Sequence, residues 1–320
     1  MLSLQWQEVK ERGYGYKGPK GTYEIDFEPK KSLFQIMCED LKRTNNKYNT
    51  IIPWYIMTST DNNSQTISYF KEHNYFDYPM EYINFFVQDN LPLILKNGDL
   101  FLQEPYLIKK ASNGNGNVFK SMKKGNIIRD LENKNIKWIS FGGIDNILLK
   151  NCDPLFLGLA INGNYNVASK SIFKSKPLEN TAVYCRKNNK VSILDYCDIT
   201  LELSESKDEN GMYLYREANM LSHLMSIDAV KKISEIDLPY HRAFKKNAFV
   251  NDEGMKQVPD SPNSYKFENF IFDAFSYFDD MLLFRVDENE EFAPIKDFTG
   301  IYNPDTAKEK YEKYWNSKRD

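Results

Sequence analysis

Short apolar runs that end in polar or small residues recur along the chain, and they predict buried strands. Ile51–Met57 ends in Thr58 and Ser59, and Ile83–Gln88 is followed by an aspartate. Each run has the length of a strand rather than that of a helix. Two more runs share this pattern and predict further strands: Lys137–Phe141 and Leu282–Val286.

The segments between these runs are long enough to form helices. Six of them are predicted to be helical: Ser64–His73, Asp153–Ile161, Asn219–Met225, Asp228–Glu235, Lys266–Phe278 and Asp305–Trp315. Asp153 suits an N-cap because Pro154 follows it at the first helical position. Thr181–Arg186 and Val191–Tyr196 flank a polar turn and predict a β-hairpin. Strands alternating with helices predict an α/β fold with a doubly wound, mainly parallel sheet and a hairpin excursion.

Composition and charge exclude several classes of function. The 320 residues are 41% hydrophobic and 27% charged, which permits a packed core. The net charge of −3 makes the chain a poor candidate for nonspecific nucleic-acid binding. No apolar run approaches the ~20 residues that span a membrane, and the first residues lack the apolar core of a signal peptide. We therefore expect a cytoplasmic protein with no nucleic-acid or membrane partner, and the sequence gives no indication of its oligomeric state.

Cysteines and histidines are few and scattered. The four cysteines, Cys38, Cys152, Cys185 and Cys197, have no CxxC spacing, and the three histidines form no HExxH motif. These counts argue against a zinc ribbon, a thioredoxin-like site and a histidine-rich metal centre, and they leave few candidates for the base of a Ser-His-Asp triad. If a metal takes part, oxygen ligands and Mg²⁺ are favoured.

Three polar segments lie where ligands bind in such sheets, at the carboxyl ends of strands. They are Gln88–Pro92, Gly114–Gly116 and Asp145–Asn146. Each alone also fits a plain structural role as a strand exit, a turn rich in glycine and asparagine, or a helix cap. Their order and joint placement favour a ligand site.

Eight segments in a fixed order carry a resemblance to a known family. The first four are GPKGTYEI at Gly18–Ile25, KSLFQI at Lys31–Ile36, PWYIMTS at Pro53–Ser59 and FFVQDNLP at Phe85–Pro92. The other four are NGNG at Asn113–Gly116, IDNILLK at Ile144–Lys150, KFENFIFD at Lys266–Asp273 and EFAPIK at Glu291–Lys296. The chain resembles the eukaryotic-type UDP-sugar pyrophosphorylases, which implies a Rossmann-like nucleotidyltransferase sheet. We expect a catalytic domain over residues 1–297 and a C-terminal tail helix within 298–320.

The resemblance implies uridylyl transfer, in which a sugar 1-phosphate oxygen attacks the α-phosphorus of UTP and pyrophosphate leaves. This reaction needs in-line positioning and charge neutralisation rather than a protein nucleophile. Asp145 matches the family's metal-binding aspartate and is expected to hold Mg²⁺. Lys20, Lys296 and Lys266 match lysines that face the phosphates and are the expected catalytic residues. The implied partners are UTP and a sugar 1-phosphate.

The resemblance also implies residues for the base and for the sugar. Those that match uracil-reading segments are Gln88, Gly114, Asn115 and Gly116. Those that match sugar-binding positions are Asp195, Asn219, Phe270 and Phe272. On a helix, Phe270 and Phe272 would not share a face, so this stretch is extended or only one ring lines the pocket.

Three substitutions leave the choice of sugar open. Asp195 stands where the family usually has glutamate, Ala182 replaces a glycine, and Phe173 replaces a glutamate. N-acetylglucosamine 1-phosphate is the expected substrate, and glucose 1-phosphate is the alternative.

The N-terminus departs from the family pattern. The family opens with an apolar strand and a GGxGTRLG loop that holds the triphosphate. Here the matching stretch, Glu8–Gly15, keeps only its final glycine, with Arg12 one residue out of register. The strand before it, MLSLQW, is weak, so the first strand of the sheet is expected to be marginal or lost. Three explanations stay open: a chain that starts late, a degenerate member that binds nucleotide sugars without turnover, or a phosphate cradle supplied by other residues.

Overall fold

The computed structural model describes residues 2–6 (backbone), 16, 18–104, 106–174, 176, 181–195, 199–250 and 254–318. The helices within these residues are α1 (Leu33–Tyr48), α2 (Asn63–Glu72), α3 (Val118–Lys124), α4 (Ile127–Asn133), α5 (Pro154–Asn162), α6 (Leu201–Glu205), α7 (Ile227–Ser234), α8 (Glu288–Glu291) and α9 (Pro304–Ser317). Among these described helices, none combines the length and the apolar character that a membrane crossing requires.

The strands of the described residues range from two to ten residues in length. They are β1 (Leu2–Trp6), β2 (Glu24–Ile25), β3 (Lys31–Ser32), β4 (Trp54–Thr58), β5 (Ile83–Val87), β6 (Asn90–Pro92), β7 (Ile94–Leu95), β8 (Leu102–Glu104), β9 (Leu107–Ile108), β10 (Lys110–Ser112), β11 (Trp138–Gly143), β12 (Val167–Phe173), β13 (Val183–Lys187), β14 (Lys190–Leu194), β15 (Glu217–Ser226), β16 (His241–Lys245), β17 (Phe249–Val250), β18 (Lys256–Gln257), β19 (Ser264–Glu268) and β20 (Leu282–Arg285).

One nine-stranded sheet organises the fold. Strands β5, β4, β1 and β11 pair in parallel, and β15 then pairs antiparallel with β11. Strand β12 pairs antiparallel with β15 and parallel with β20, and the β13–β14 hairpin joins where Val183 lies opposite Ala218. The expectation of a mainly parallel sheet is therefore wrong. The sheet is mixed, with its parallel strands concentrated in the half that contains β1.

Two predicted helices are wrong, and one of them explains the mixed sheet. Asn219–Met225 lies within β15, which separates β11 from β12. Residues 222–226 of this strand are all buried, so the polar alternation that would identify a strand is lost. Lys266–Phe278 divides into β19 and a 3₁₀ stretch, Ile271–Tyr277.

The first strand is present and central. Leu2–Trp6 lies between β4 and β11, with Ser3 opposite both Trp54 and Ser140. The expectation that this strand is marginal or lost is therefore wrong. Its polar alternate residues hide it in the sequence, because a strand buried in a parallel sheet normally reads as a continuous apolar run. The loop segment Glu8–Gly15 lies outside the described residues.

The other predicted elements are confirmed within a few residues. They are strands β4, β5, β11 and β20, the β13–β14 hairpin, and helices α2, α5, α7 and α9. Helix α1 was not predicted, although it has a clear start signal. The Ser32 hydroxyl accepts a hydrogen bond from the Gln35 amide at 3.2 Å, which caps the helix.

Alternate side chains of β4 enter separate hydrophobic clusters on the two faces of the sheet. Tyr55 and Met57 pack with residues of α3, α4 and α7, whereas Trp54 and Ile56 pack with residues of α1. The tail helix α9 contributes Tyr311 to the second cluster. Helices therefore cover both faces of β4, whose five residues are all buried. The division at residue 297 stays a prediction.

A buried ion-pair network ties the sheet to two helices. Lys170 of β12 is fully buried, and its Nζ lies 2.6 Å from Asp153 Oδ2 and 2.5 Å from Glu291 Oε2. Asp153 Oδ1 also caps α5 by accepting from the Leu155 amide at 3.0 Å, which confirms its predicted role. Burial alone would raise the pKa of Asp153, but Lys170 and the cap N–H groups outweigh it and lower this pKa.

Replacing Lys170 with methionine is expected to destabilise the protein strongly. Lys170→Met keeps the apolar stem but removes the cation that Asp153 and Glu291 share, leaving Glu291 to its longer contact with Lys150 at 3.1 Å. This loss costs about 3 kcal/mol or more. Urea unfolding measures the loss. Lys190→Met, at an exposed position in β14, is the control and should change the free energy of unfolding by less than about 0.5 kcal/mol. A loss for Lys170→Met no larger than the control's would contradict the network's role.

Candidate active site

Asp145 lies just past the carboxyl end of β11, close to two of the predicted lysine positions. Its Oδ2 atom is 3.6 Å from Lys20 Nζ, and both side chains are mostly buried. Its backbone carbonyl accepts a hydrogen bond from the Ile295 amide at 2.9 Å, which brings the adjacent Lys296 to this end of the strand. The Lys296 ammonium lies 5.0 Å from the centre of the Tyr302 ring. Three segments that are far apart in sequence therefore converge here.

The contact between Asp145 and Ile295 belongs to a longer hydrogen-bonded junction. The side-chain amide of Asn146 donates to the Glu291 carbonyl at 2.7 Å and accepts from the Ala293 amide at 2.8 Å. We call this set of contacts between residues 145–147 and 291–295 the 145–295 junction. Its last member, Glu291, also holds Lys170 in the buried ion-pair network. The junction fixes the backbone on which Asp145 and Lys296 stand.

Lys20 is held by a tight turn that only glycine permits. It begins a 3₁₀ turn, Lys20–Thr22, in which the Thr22 hydroxyl donates to the Pro19 carbonyl at 2.8 Å. A Cβ atom on Gly21 would lie 2.3 Å from the Phe34 ring of α1. The turn can therefore pack onto α1 only without a side chain at this position, which gives the GPKG motif a structural reason.

Gln88 follows β5 and carries an amide without a partner. Its backbone N–H donates to the Thr58 carbonyl at 2.9 Å. The side chain is 1% exposed, and neither Oε1 nor Nε2 forms a hydrogen bond within the part of the chain that the structure describes. A buried, unsatisfied amide costs about 1–3 kcal/mol. Buried amides are normally hydrogen-bonded, so Gln88 is a candidate for contact with a ligand.

The glycines of the NGNG loop are required by the neighbouring chain. Gly114 has φ of 91°, and a Cβ atom there would lie 2.3 Å from the Asn269 carbonyl oxygen. On Gly116, a Cβ atom would lie 2.7 Å from the Phe270 backbone. The Asn115 side chain accepts from the Ile271 amide at 2.8 Å. These contacts explain the glycines without a base, and they join the predicted uridine loop to the predicted sugar segment.

The Phe270 and Phe272 rings lie side by side. Their rings are stacked with centroids 5.0 Å apart, and His241 lies 4.7 Å from the Phe270 ring. Phe270 has an extended backbone and precedes the 3₁₀ stretch, so the objection that holds for two residues on one α-helix does not apply.

An irregularity in β15 sets the orientation of the Asn219 side chain. The register between β12 and β15 shifts between Ser169 and Ser171, which pair with His223 and Asn219. Bulges of this kind redirect side chains beside functional sites. Within the bulge Leu221 has φ of 55°, and its amide donates to Asn219 Oδ1 at 2.9 Å. A Cβ atom on Gly143 would lie 2.8 Å from both the Leu221 side chain and Asp145 Oδ1, so the bulge borders the Asp145 site.

Two predicted residues are not joined to this group by the contacts described. Lys266 lies in β19, in a separate sheet with β16 and β7, and forms an ion pair with Glu268 at 2.8 Å. Asp195 directly follows β14, and its carbonyl accepts from the Ile199 amide at 3.2 Å. The roles of Lys266 and Asp195 stay predictions.

The parallel half of the sheet sets the span of the site. Gln88 follows β5 and Asp145 follows β11, and the strands between them run in the order β5, β4, β1, β11. Three steps of about 4.8 Å place these two strand ends about 14 Å apart at the same edge. This spacing suits a ligand with a base at one end and phosphates at the other.

A cavity of about 660 Å³ lies at the opposite edge of the same strands. Its lining includes residues 51–53 before β4, Tyr82 before β5 and Ile136 before β11, and it includes none of the predicted site residues. This cavity lies away from the carboxyl ends of the strands, where ligands of open α/β sheets bind.

Sequence reasoning missed three buried residues beside Asn219. Ser169 contacts both Tyr184 and His223, and the Tyr184 hydroxyl donates to Asn219 Oδ1 at 3.1 Å. Interpreting residues 219–225 as a helix hid this cluster. A cross-strand register that includes a bulge gives no signal in one sequence.

Comparison with known proteins places the chain among related sequences. The family model for UTP–glucose-1-phosphate uridylyltransferase matches residues 12–302. UDP-N-acetylglucosamine pyrophosphorylase from Saccharomyces cerevisiae is 36% identical over 313 residues, which covers 93% of this chain and 65% of the relative. UDP-N-acetylglucosamine diphosphorylase 2 from Arabidopsis thaliana is 32% identical over 303 residues, with 89% and 59% covered. The chain thus spans about three fifths of the length of these curated relatives.

A solved structure shows the same fold. The uridine diphosphate N-acetylglucosamine pyrophosphorylase of Trypanosoma brucei, crystallised with an inhibitor, superposes with a TM-score of 0.83 at 26% identity. The superposition covers 97% of this chain and 64% of that one. With the family model matching most of the sequence, the chain belongs to the UTP–glucose-1-phosphate uridylyltransferase family.

Proposed function

We propose that this chain is a uridylyltransferase that joins UTP and N-acetylglucosamine 1-phosphate into a UDP-sugar and releases pyrophosphate. The observation that carries the proposal is the convergence of Lys20, Asp145 and the Lys296 segment at the strand edge that also holds Gln88. Relatives named UDP-N-acetylglucosamine pyrophosphorylase support this choice of sugar.

The proposed reaction needs no protein nucleophile. An oxygen of the sugar 1-phosphate attacks the α-phosphorus of UTP, and the bond from that phosphorus to the oxygen bridging to the β-phosphate breaks. Pyrophosphate leaves with the bonding electrons. Lys20 and Lys296 would neutralise the charge spread over the phosphate oxygens and hold the reactants in line. This assignment fits their position beside Asp145.

Asp145 would hold Mg²⁺ against the phosphates. The described residues contain no cluster of three or more carboxylate, cysteine or histidine side chains that could form a closed metal site. Mg²⁺ is commonly bound by one or two carboxylates, with phosphates and water supplying the remaining ligands, so one aspartate fits it. When bound, the cation neutralises phosphate charge.

The two remaining parts of the site would bind the base and the sugar. The Gln88 amide can both donate and accept, which complements the carbonyl and N–H groups of uracil. Asn219, Asp195 and the stacked rings of Phe270 and Phe272 would contact the sugar. A Rossmann-like winding of the parallel half and a cytoplasmic location belong to the same proposal.

Activity should depend on Asp145. The full chain with UTP, Mg²⁺ and N-acetylglucosamine 1-phosphate is expected to release pyrophosphate, and Asp145→Asn should lower kcat by about 10²–10³-fold. Asp237→Asn, whose side chain is 95% exposed, is the matched control and should leave the rate unchanged. Binding of UDP-sugar by the wild type without any pyrophosphate would instead indicate a degenerate nucleotide-sugar binding protein.

The protein should discriminate between the two candidate sugar phosphates. In competition, N-acetylglucosamine 1-phosphate is expected to have kcat/KM about tenfold or more above that of glucose 1-phosphate, because the stacked rings of Phe270 and Phe272 would contact the N-acetyl group. Equal values, or the reverse order, would favour the glucose 1-phosphate alternative.

Gln88 should affect stability and UTP binding in opposite directions. Gln88→Leu removes a buried unsatisfied amide, so the ligand-free protein should gain about 1 kcal/mol of unfolding free energy. The same change should raise KM for UTP about tenfold or more, because the base loses its partners. Denaturant unfolding and steady-state kinetics measure both quantities.

The control for Gln88 is Gln257→Leu, at an exposed position in β18, which should alter neither quantity. ATP in place of UTP should abolish nearly all activity of the wild type. Equal use of ATP, or an unchanged KM in Gln88→Leu, would refute the assignment of Gln88 to uracil.

A further inference from the structure

The orientation of the Asn219 amide is fixed by its neighbours. A backbone N–H can only donate, so the atom that faces the Leu221 amide at 2.9 Å must be Oδ1. The Tyr184 hydroxyl lies 3.1 Å from the same oxygen and therefore donates its proton to it. A flipped amide would place Nδ2 against the Leu221 N–H, donor against donor, and would lose that hydrogen bond.

The protons further along the chain of contacts are fixed in turn. Because Tyr184 gives its proton to Asn219, its oxygen accepts from the Ser169 hydroxyl, its close neighbour. The Ser169 oxygen then accepts from Nδ1 of His223 at 2.5 Å. The Ser169 hydroxyl can also donate to the Ser222 carbonyl at 3.2 Å, a longer alternative to its close contact with Tyr184.

His223 can serve only as a neutral donor in this position. Burial lowers the pKa of His223 to about 3, so the ring is uncharged at neutral pH. Its contact with Ser169 requires the tautomer with the proton on Nδ1, which leaves Nε2 as an acceptor. Nε2 is buried and has no hydrogen-bond partner within the described ranges. The hydrogen bond that the described residues give this ring is therefore the one between Nδ1 and Ser169.

Asn219 therefore presents its Nδ2 group as a hydrogen-bond donor. Its Nδ2 atom donates to none of the residues that the structure describes, and the side chain is partly exposed. The Asn219 backbone amide donates to the Ala182 carbonyl at 2.8 Å. Asn219 therefore has a fixed backbone, a fixed amide plane and a fixed polarity.

We propose that Tyr184 is a positioning residue that holds Asn219 Nδ2 as a hydrogen-bond donor for an acceptor oxygen of the sugar. Ser169 and His223 complete the relay that orients the Tyr184 hydroxyl. This inference rests on the proposed function, since it deepens the recognition of the sugar at the same site.

The test compares binding of UDP-N-acetylglucosamine with binding of UDP, by calorimetry on the full chain. Tyr184→Phe keeps the ring and removes the hydroxyl, so the Kd for UDP-N-acetylglucosamine should rise about 5–10-fold. The Kd for UDP, which lacks the sugar, should stay within about twofold. Tyr78→Phe removes a buried hydroxyl that donates to the Ile52 carbonyl and is the matched control, with neither Kd expected to change.

A double-mutant cycle separates positioning from a general structural role. Asn219→Ala should weaken binding of the UDP-sugar, and adding Tyr184→Phe to it should cause no further loss, because Tyr184 acts through Asn219. Equal effects of Tyr184→Phe in both backgrounds would overturn the inference. So would unchanged sugar affinity in a folded Tyr184→Phe protein.

Asn219→Asp provides a second test that leaves the buried residues intact. It keeps the size of the side chain but replaces the outward donor with an acceptor, so its affinity for the UDP-sugar should fall at least as far as that of Asn219→Ala. Wild-type affinity in Asn219→Asp would overturn the inference even if Tyr184→Phe fails to fold. A wild-type chain that binds no UDP would overturn the proposed function itself, whereas one that binds UDP but is insensitive to both Asn219 variants would overturn this inference alone.

Discussion

The 145–295 junction is the constraint on which the site depends. Its hydrogen bonds join the carboxyl end of β11 to a segment from the far end of the chain, and they satisfy both polar atoms of the buried Asn146 amide. One end of the junction carries Asp145 and Lys296, and the other carries Glu291. Glu291 is bound to Lys170 inside the protein. The positions of Asp145 and Lys296, which are proposed to meet the phosphates, are therefore set by buried charges in the core.

Much of the parallel half could be predicted from local pattern. The apolar runs of β4, β5 and β11 end in the polar residues that define the site edge, and the rule for ligands of α/β sheets selects Gln88 and Asp145. The NGNG loop and the GPKG turn were located by resemblance. The structure explains their glycines by close contact with Asn269, Phe270 and Phe34.

The antiparallel half could not be predicted in the same way. Strand β15 is covered on both faces over residues 222–226, so its apolar residues fit a helix as well as a strand. Its bulge depends on pairing with β12, which is a long-range property that local periodicity does not contain. The relay through Ser169 and His223 exists only because of that register. Strand β1 was underestimated because its polar residues obscure a central position.

Two amides on opposite sides of the site illustrate two ways of preparing for a ligand. Among the described residues, neither polar atom of the buried Gln88 side chain has a hydrogen-bond partner, which is a cost that a ligand could relieve. Asn219 has its oxygen paired twice, and its nitrogen donates to no described residue, so its orientation is set before a ligand binds. The first arrangement stores a cost that binding relieves, and the second reduces the ordering that binding requires.

The contact between the NGNG loop and residues 269–271 couples the movements of these two segments of the proposed site. Gly116 and Asn115 are hydrogen-bonded to the backbone that carries the stacked Phe270 ring, and no side chain separates the two segments. A shift of the loop proposed to face the base must therefore move the rings proposed to face the sugar. Adaptation to a bulkier group at either end would be felt at both, so the two halves of this surface are constrained to evolve as a unit.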